Sequence, residues 1–321
     1  MASMDDAPQQ TQPGRVLRVD AKVCHVQVES GVIQAAPRGH LFEDLEGRKN
    51  PVAVGDFVDV SLEGNPVAIE SVHERRNYLG RTASSHDPRE QILVANADQL
   101  FIVSSLQSPG FSSNRTDRIL SACIWHEIPV ILVINKIDLT GAGDLEDIRR
   151  TYEAVPIEVI ETCAVDGRGV EALKDRMRDK VSVLYGPSGA GKSTLINAVQ
   201  PGLNLREGKI SSYWKQGKHT TSYSHLIPLE MGGWVVDTPG IRVFRLHGLK
   251  RNLLRDLFPE FERIQDKCRF DGCSHDHEPE CGVFDAVDRG ELAASRYASY
   301  LEMMDEIDPE NAYDPSEEEP L

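Results

Sequence analysis

Residues 186–194 read GPSGAGKST, with glycines, lysine and hydroxyls at the G-x-x-x-x-G-K-[ST] spacing that suits phosphate. Gly186, Pro187, Ser188, Gly189, Ala190 and Gly191 would form a tight loop whose backbone N–H groups face anionic oxygens, helped by the N-terminus of the next helix. Lys192 would reach the outer phosphates, the Ser193 hydroxyl would hold Mg²⁺, and Thr194 would follow in the first helical turn. Residues 135–138 read NKID and end an apolar run. Asp138 there can accept hydrogen bonds from two N–H groups that guanine offers and adenine lacks. Asn135 would brace the loop and the Lys136 stem would lie along the base, with Ile137 between it and Asp138. The stretch ETCAVDG supplies a second base-facing loop, in which Cys163 and Ala164 would present backbone. DTPG follows the apolar run WVV. Asp237 can bind Mg²⁺ through water and Gly240 can offer its N–H to a terminal phosphate, although these four residues also make a good turn.

A separate cluster suits metal. Cys268, Cys273 and Cys281 lie close in the chain with His275 and His277. Three thiolates and one imidazole make the closed tetrahedral shell of a structural zinc, and at this point either histidine can complete it. In a cytosolic chain such a group favours metal over disulfides. Cys24, Cys123 and Cys163 are scattered among apolar residues and read as buried free thiols.

The elements around these residues change rhythm along the chain. Residues 15–78 alternate short β-branched runs with Gly, Asn and Pro breaks, which predicts a small barrel, an OB-fold first and an SH3-like barrel second. From about residue 92 strand-like QLFIVSSL, PVILVINK, PIEVIETC and VSVLYG alternate with helical TDRILSACIWHE, LEDIRRTYEAV and GVEALKDRMRD. That alternation predicts a largely parallel sheet covered by helices. Residues 203–222 break it as a loop, and IPLEMGGWVVD reads as a hairpin. After residue 247 the chain reads as helical, with LKRNLLRDLFPEF and ELAASRYASYLEMMDEI around the cysteines. The expected fold is multidomain: a lead-in at 1–14, an all-β OB-fold at 15–78, an α/β phosphate-loop domain at 79–247, a mainly helical zinc-binding domain at 248–303 and an acidic tail at 304–321.

Base loops precede the phosphate loop here, the reverse of the order in an ordinary nucleotide hydrolase of this kind. A site needs its loops at one edge of a sheet, where strand C-termini face the ligand, and chain order does not enter. Joining the ends of such a domain and reopening it elsewhere would keep every loop in place.

The net charge of −16 argues against non-specific nucleic-acid binding. Much of it sits in the tail from Glu302 to Leu321, which has many acids and no Lys or Arg. Any RNA contact must then be patchy, and the candidates are Arg75, Arg76, Arg81, Lys215, Lys218, Lys250, Arg251, Arg255, Lys267 and Arg269. No apolar run is long enough for a bilayer, and the N-terminus has no basic flank or apolar core of a secretory signal. A cytoplasmic monomer is expected, with the plastid stroma as the alternative after import.

Together these motifs resemble the ribosome small-subunit-dependent GTPase A family, RsgA or YjeQ. The likeness runs from about residue 15 to 306 through PRGHLFE, VGDFVDV, RRNYLGR, LVANADQLFIV, NRTDRIL, NKIDL, GPSGAGKSTLINA, GKHTT, DTPGI and CRFDGCSHDHEPEC. It implies a circularly permuted GTPase domain, bound GTP or GDP with Mg²⁺, one structural Zn²⁺, and hydrolysis stimulated by the small ribosomal subunit and its rRNA during maturation. The family pattern also selects His275 over His277 as the fourth zinc ligand. Ile241 follows DTPG where many GTPases carry a glutamine that orients water, and Ile cannot hydrogen-bond to water. The resemblance assigns that assistance to His219, with Thr220 and Thr221 serving Mg²⁺ or the γ-phosphate. Two rivals remain at this stage: an ATP-dependent phosphate-loop enzyme with a zinc module, against which NKID argues, and a nucleotide-regulated RNA-binding module with negligible catalysis.

Overall fold

A computed structural model describes residues 11–20, 23–43, 45–62, 67–84, 87–139, 141–203, 225–237 and 246–307. The first strands are β1 (Thr11–Val19), β2 (Cys24–Val28), β3 (Gly31–Pro37), β4 (Phe57–Ser61) and β5 (Ala68–Val72). They pair in the order β1-β2-β3-β5-β4, and β4 returns to β1, so the barrel closes. Only the β3–β5 pairing is parallel. This is the OB-like alternative. Alternation along the strands sends Val16, Val26, Val58, Val60 and Ile69 inward as its core.

β1 begins inside the segment expected as lead-in. Thr11 to Gly14 show no apolar alternation, yet their backbone pairs with Ser61 to Val58 of β4. A Cβ on Gly14 would lie 2.5 Å from Val26 Cγ1, so glycine is what lets β1 pack against β2 here. The hairpin of β6 (Tyr78–Ser84) and β7 (Asp87–Ala95) also escaped the pattern reading, because register shifts interrupt its alternation. Its Leu79 and Val94 join the core of the next domain, and Val54 of the barrel bridges to Val94.

The central domain runs β8 (Gln99–Ser105), α1 (Ser113–Trp125), β9 (Val130–Asn135), α2 (Ala142–Tyr152), β10 (Glu158–Glu161), α3 (Val170–Met177), β11 (Val181–Tyr185), α4 (Lys192–Val199), β12 (His225–Pro228) and β13 (Trp234–Asp237). Strand order is β10-β9-β8-β11-β13-β12, with β12 antiparallel to β13 and the rest parallel. Leu100 and Ile102 of β8 face α1 and α2, while Phe101 and Val103 face α3 and α4. Both faces are therefore covered, as the continuous apolar runs required. Arg18 of β1 pairs with His225 of β12, which joins the barrel to this sheet.

The C-terminal part holds a 3-10 helix at Arg251–Leu257, α5 (Pro259–Glu262), α6 (Gly282–Asp288) and α7 (Ala294–Glu306). LKRNLLRDLFPEF was expected as one helix. Pro259 disfavours helical backbone at Phe258, so a tighter 3-10 turn ends there and α5 starts anew. Leu254, Leu257, Phe258 and Phe261 still reach a common core with Tyr297 and Tyr300.

Candidate functional site

The parallel strands bring their C-terminal ends to one edge. Ser105 stands opposite Asn135, Ile134 opposite Glu161, Tyr185 opposite Ile102 and Leu184 opposite Asp237. The loop 186–191 leaves β11 and enters α4 at Lys192. A Cβ on Gly186 would lie 2.1 Å from the Val103 carbonyl oxygen, and one on Gly191 would lie 2.3 Å from Asn135 Nδ2. Gly191 also has φ +93°, a backbone region that favours glycine. Lys192 Nζ donates to the carbonyls of Gly186 (2.6 Å) and Pro187 (3.2 Å), so its ammonium lies back over the loop.

The NKID residues meet this loop. Asn135 is buried; its Nδ2 donates to the Ala190 carbonyl at 2.9 Å, and its Oδ1 accepts from Thr162 Oγ1 at 3.1 Å. One side chain therefore ties three loops. Lys136 takes φ +63° and its Nζ donates to the Ser108 carbonyl at 2.5 Å. Ile137 N donates to the Thr162 carbonyl at 3.3 Å. Asp138 is exposed, and the buried Cys163 thiol donates to its Oδ1 at 3.2 Å. That bond holds one oxygen of an otherwise exposed carboxylate. Ala164 is half-buried beside it. The sequence places residues 162–164 here as a base loop and Cys163 for its backbone; the bond from the Thr162 hydroxyl and the approach of Ser108 and Pro109 carry no motif. Pro109 Cδ would lie 3.5 Å from a Cβ on Gly189. His219, Thr220, Thr221, Gly240 and Ile241 lie outside the described residues, as do Lys215, Lys218 and the tail from residue 308.

The cysteine cluster is also assembled. One ligand atom each from Cys268, Cys273, His275 and Cys281 falls within 4.8 Å of the others. His275 Nδ1 is 3.6 Å from Cys268 Sγ and 3.4 Å from Cys281 Sγ. A tetrahedral zinc with ordinary bond lengths has an S-to-N edge of about 3.6 Å, so these donors fit that ion. His277 is 79% exposed and stands 3.3 Å from Asp276, away from the cluster. The loop is held from α7: Tyr297 Oη donates to the His275 carbonyl at 2.8 Å and Tyr300 Oη to that of Ser274. Arg255 Nη1 donates to the Cys273 carbonyl at 3.1 Å.

A buried ionic group joins this module to the central domain. Arg296 of α7 donates to Asp117 of α1 at 2.6 Å and to Glu260 of α5 at 2.7 Å. Tyr152 Oη donates to Asp117 at 2.8 Å. Burial pushes the Asp117 carboxyl up, and the Arg296 charge opposes that shift. Nothing in sequence spacing marks this group, because its members come from four helices. Arg75 is likewise claimed by the fold. Its guanidinium makes two 2.7 Å bonds to the fully buried Asp56, which removes it from the candidate RNA contacts. Among the described residues no helix is long and apolar enough to cross a membrane.

Comparison with known proteins agrees with this arrangement. Residues 72–247 match the RsgA GTPase family. The small ribosomal subunit biogenesis GTPase RsgA of Chlorobaculum parvum is 40% identical over 270 residues, covering 81% of this chain and 86% of its own. The protein of that name from Caldanaerobacter subterraneus is 34% identical over 295 residues, covering 92% and 95%. The crystal structure of YjeQ from Thermotoga maritima superimposes with a TM-score of 0.72 at 34% identity, covering 93% of this chain and 99% of that one. The circularly permuted GTPase YloQ gives 0.66 at 29%, covering 95% and 98%. With base loops and phosphate loop gathered at one sheet edge in reversed chain order, and relatives matched along nearly the whole length, the chain belongs to the RsgA GTPase family.

Proposed function

We propose that this protein hydrolyses GTP as a late assembly factor of the small ribosomal subunit, and that the subunit stimulates the hydrolysis. The observation that carries the nucleotide part is the tie from Asn135 to Ala190, which brings the base loop onto the phosphate loop. The ribosomal part rests on the relatives' names. Asp138 reads the guanine N–H groups, Cys163 and Ala164 lie against the base, and backbone N–H groups of 186–194 surround the phosphates. Lys192 swings from its loop carbonyls to the outer phosphates. Ser193 and Asp237 would hold Mg²⁺, which when bound neutralises charge developing on the phosphates. Gly240 offers an N–H to the γ-phosphate, His219 assists the attacking water, and Thr220 and Thr221 serve Mg²⁺ or the γ-phosphate. No covalent enzyme intermediate is needed, since water attacks phosphorus directly.

Cys268, Cys273, His275 and Cys281 hold one structural Zn²⁺. The barrel, extended from 15–78 back to Thr11, and the zinc module at 248–303 dock on rRNA, while the domain at 79–247 performs hydrolysis. The protein acts as a monomer in the cytoplasm. The test is GTP turnover with and without purified small subunits: stimulation is expected, and equal rates would refute the assembly role. Competition between GDP and ADP separates this reading from an ATP-dependent enzyme.

A further inference from the structure

The C-terminal module carries a cavity of about 570 Å³ beside the zinc cluster. Its walls include Arg251, Asn252 and Arg255 from the 3-10 helix and Asp276 and His277 from the ligand loop, over Tyr300 of α7. The acids in this wall are engaged internally. Glu278, also at the wall, accepts from Ser274 N at 2.7 Å and from His277 N at 3.4 Å. Asp276 stands 3.3 Å from His277 Nδ1 and 3.7 Å from Arg251 Nη2. Each guanidinium is fixed by one carbonyl and has one carboxylate 3.7 Å away: Arg251 Nη1 donates to Met304 O at 2.9 Å beside Asp276, and Arg255 Nη1 donates to Cys273 O at 3.1 Å beside Asp256. A guanidinium carries five N–H donors, so two anchored cations present donors to the cavity while its acids are occupied. Arg255 Nε is buried and makes no hydrogen bond among the described residues, so the cavity can donate to an anionic oxygen. Its volume is that of a site for one small ligand and too small for a duplex. Asn252 adds an amide that can both donate and accept, which suits a base edge.

We propose that this cavity takes one splayed-out nucleotide of single-stranded RNA, with Arg251 and Arg255 on its phosphate and Asn252 on its base. This rests on the rRNA-partner reading above and names the chemistry by which the zinc module would meet it.

The test uses full-length, zinc-loaded protein, a short fluorescent single-stranded RNA of mixed sequence, the same RNA as a duplex, and purified small subunits. Arg251→Ala and Asn252→Ala should each weaken single-strand binding about tenfold. Arg251→Ala should also flatten the salt dependence by about 0.7 in log–log slope, one phosphate contact. Asn252→Ala and Arg251→Lys should keep the wild-type slope. Zinc content and unstimulated GTP turnover should stay unchanged in all three variants. Wild-type affinity and slope in both alanine variants would overturn the proposal, as would equal binding of duplex and single strand. Loss of small-subunit binding with RNA binding intact would assign the cavity to a protein and overturn it too. If wild-type protein binds neither RNA nor subunits, the ribosomal reading itself falls and this one with it.

Discussion

Asn135 Nδ2 donates to the carbonyl of Ala190 at 2.9 Å, although the base loop comes well before the phosphate loop in the chain. The bond is buried, and the second end of the same amide accepts from Thr162. Removing it leaves the Ala190 carbonyl and the Thr162 hydroxyl without that partner, at about 1–3 kcal/mol. Asn135→Ala should therefore weaken GDP and GTP alike by about tenfold or more in equilibrium titration. Gly191→Ala should do at least as much harm, because its Cβ would strike Asn135 Nδ2 at 2.3 Å on a left-handed backbone. Wild-type affinity in both variants would show that the two loops do not act as one site.

Asp138 is exposed toward the sheet edge with Oδ1 held by Cys163. Asp138→Asn replaces an acceptor with a donor facing the guanine N–H groups. Preference for GDP over ADP should fall by about tenfold to a hundredfold, while Lys192 and the phosphate loop stay intact. A competition assay showing an undiminished preference would remove Asp138 as the guanine reader.

The family resemblance proposes His219 for the task of the water-orienting glutamine that Ile241 cannot perform. His219→Ala should keep GTP affinity and lose most of the turnover stimulated by small subunits, a drop of about a hundredfold on the scale of general acid–base and positioning effects. Single-turnover hydrolysis at saturating subunits reads this directly, and an unchanged rate would end the assignment.

Metal analysis of reduced, freshly purified protein should find one zinc per chain. Cys281→Ser or strong chelation should abolish it and unfold the C-terminal module, since the three thiols and His275 have no other reason to converge. Limited proteolysis should then cut within residues 248–307 while the barrel and sheet persist. Zinc-free protein with wild-type proteolytic resistance would contradict a structural metal.

Arg296→Met should destabilise the protein by about 3–5 kcal/mol, because it strands the buried carboxylates of Asp117 and Glu260. The additional change Asp117→Asn should recover part of that loss in denaturant unfolding. If the single variant unfolds like wild type, the group contributes nothing to domain docking.

Residue order alone carries the motifs and the layering. Continuous apolar runs such as VILVIN and VSVLY are long enough only for strands buried on both faces, and their spacing by amphipathic helices admits little besides a covered parallel sheet. Motif residues at strand ends could be read because a strand's C-terminus has one place to go. The family resemblance then carried residue roles that spacing alone left open, His275 over His277 among them. What the tertiary structure decided were the relations between segments distant in the chain: the closure of β4 on β1, the pairing of Arg18 with His225, and the meeting of Asp117 with Arg296. Each depends on which surfaces come together after local structure has formed, and a single polar residue gives no periodic signal of its partner. Arg75 makes the point most plainly. In sequence it stands as a basic residue at a domain junction, and only the position of the buried Asp56 turns it from a surface cation into part of the core.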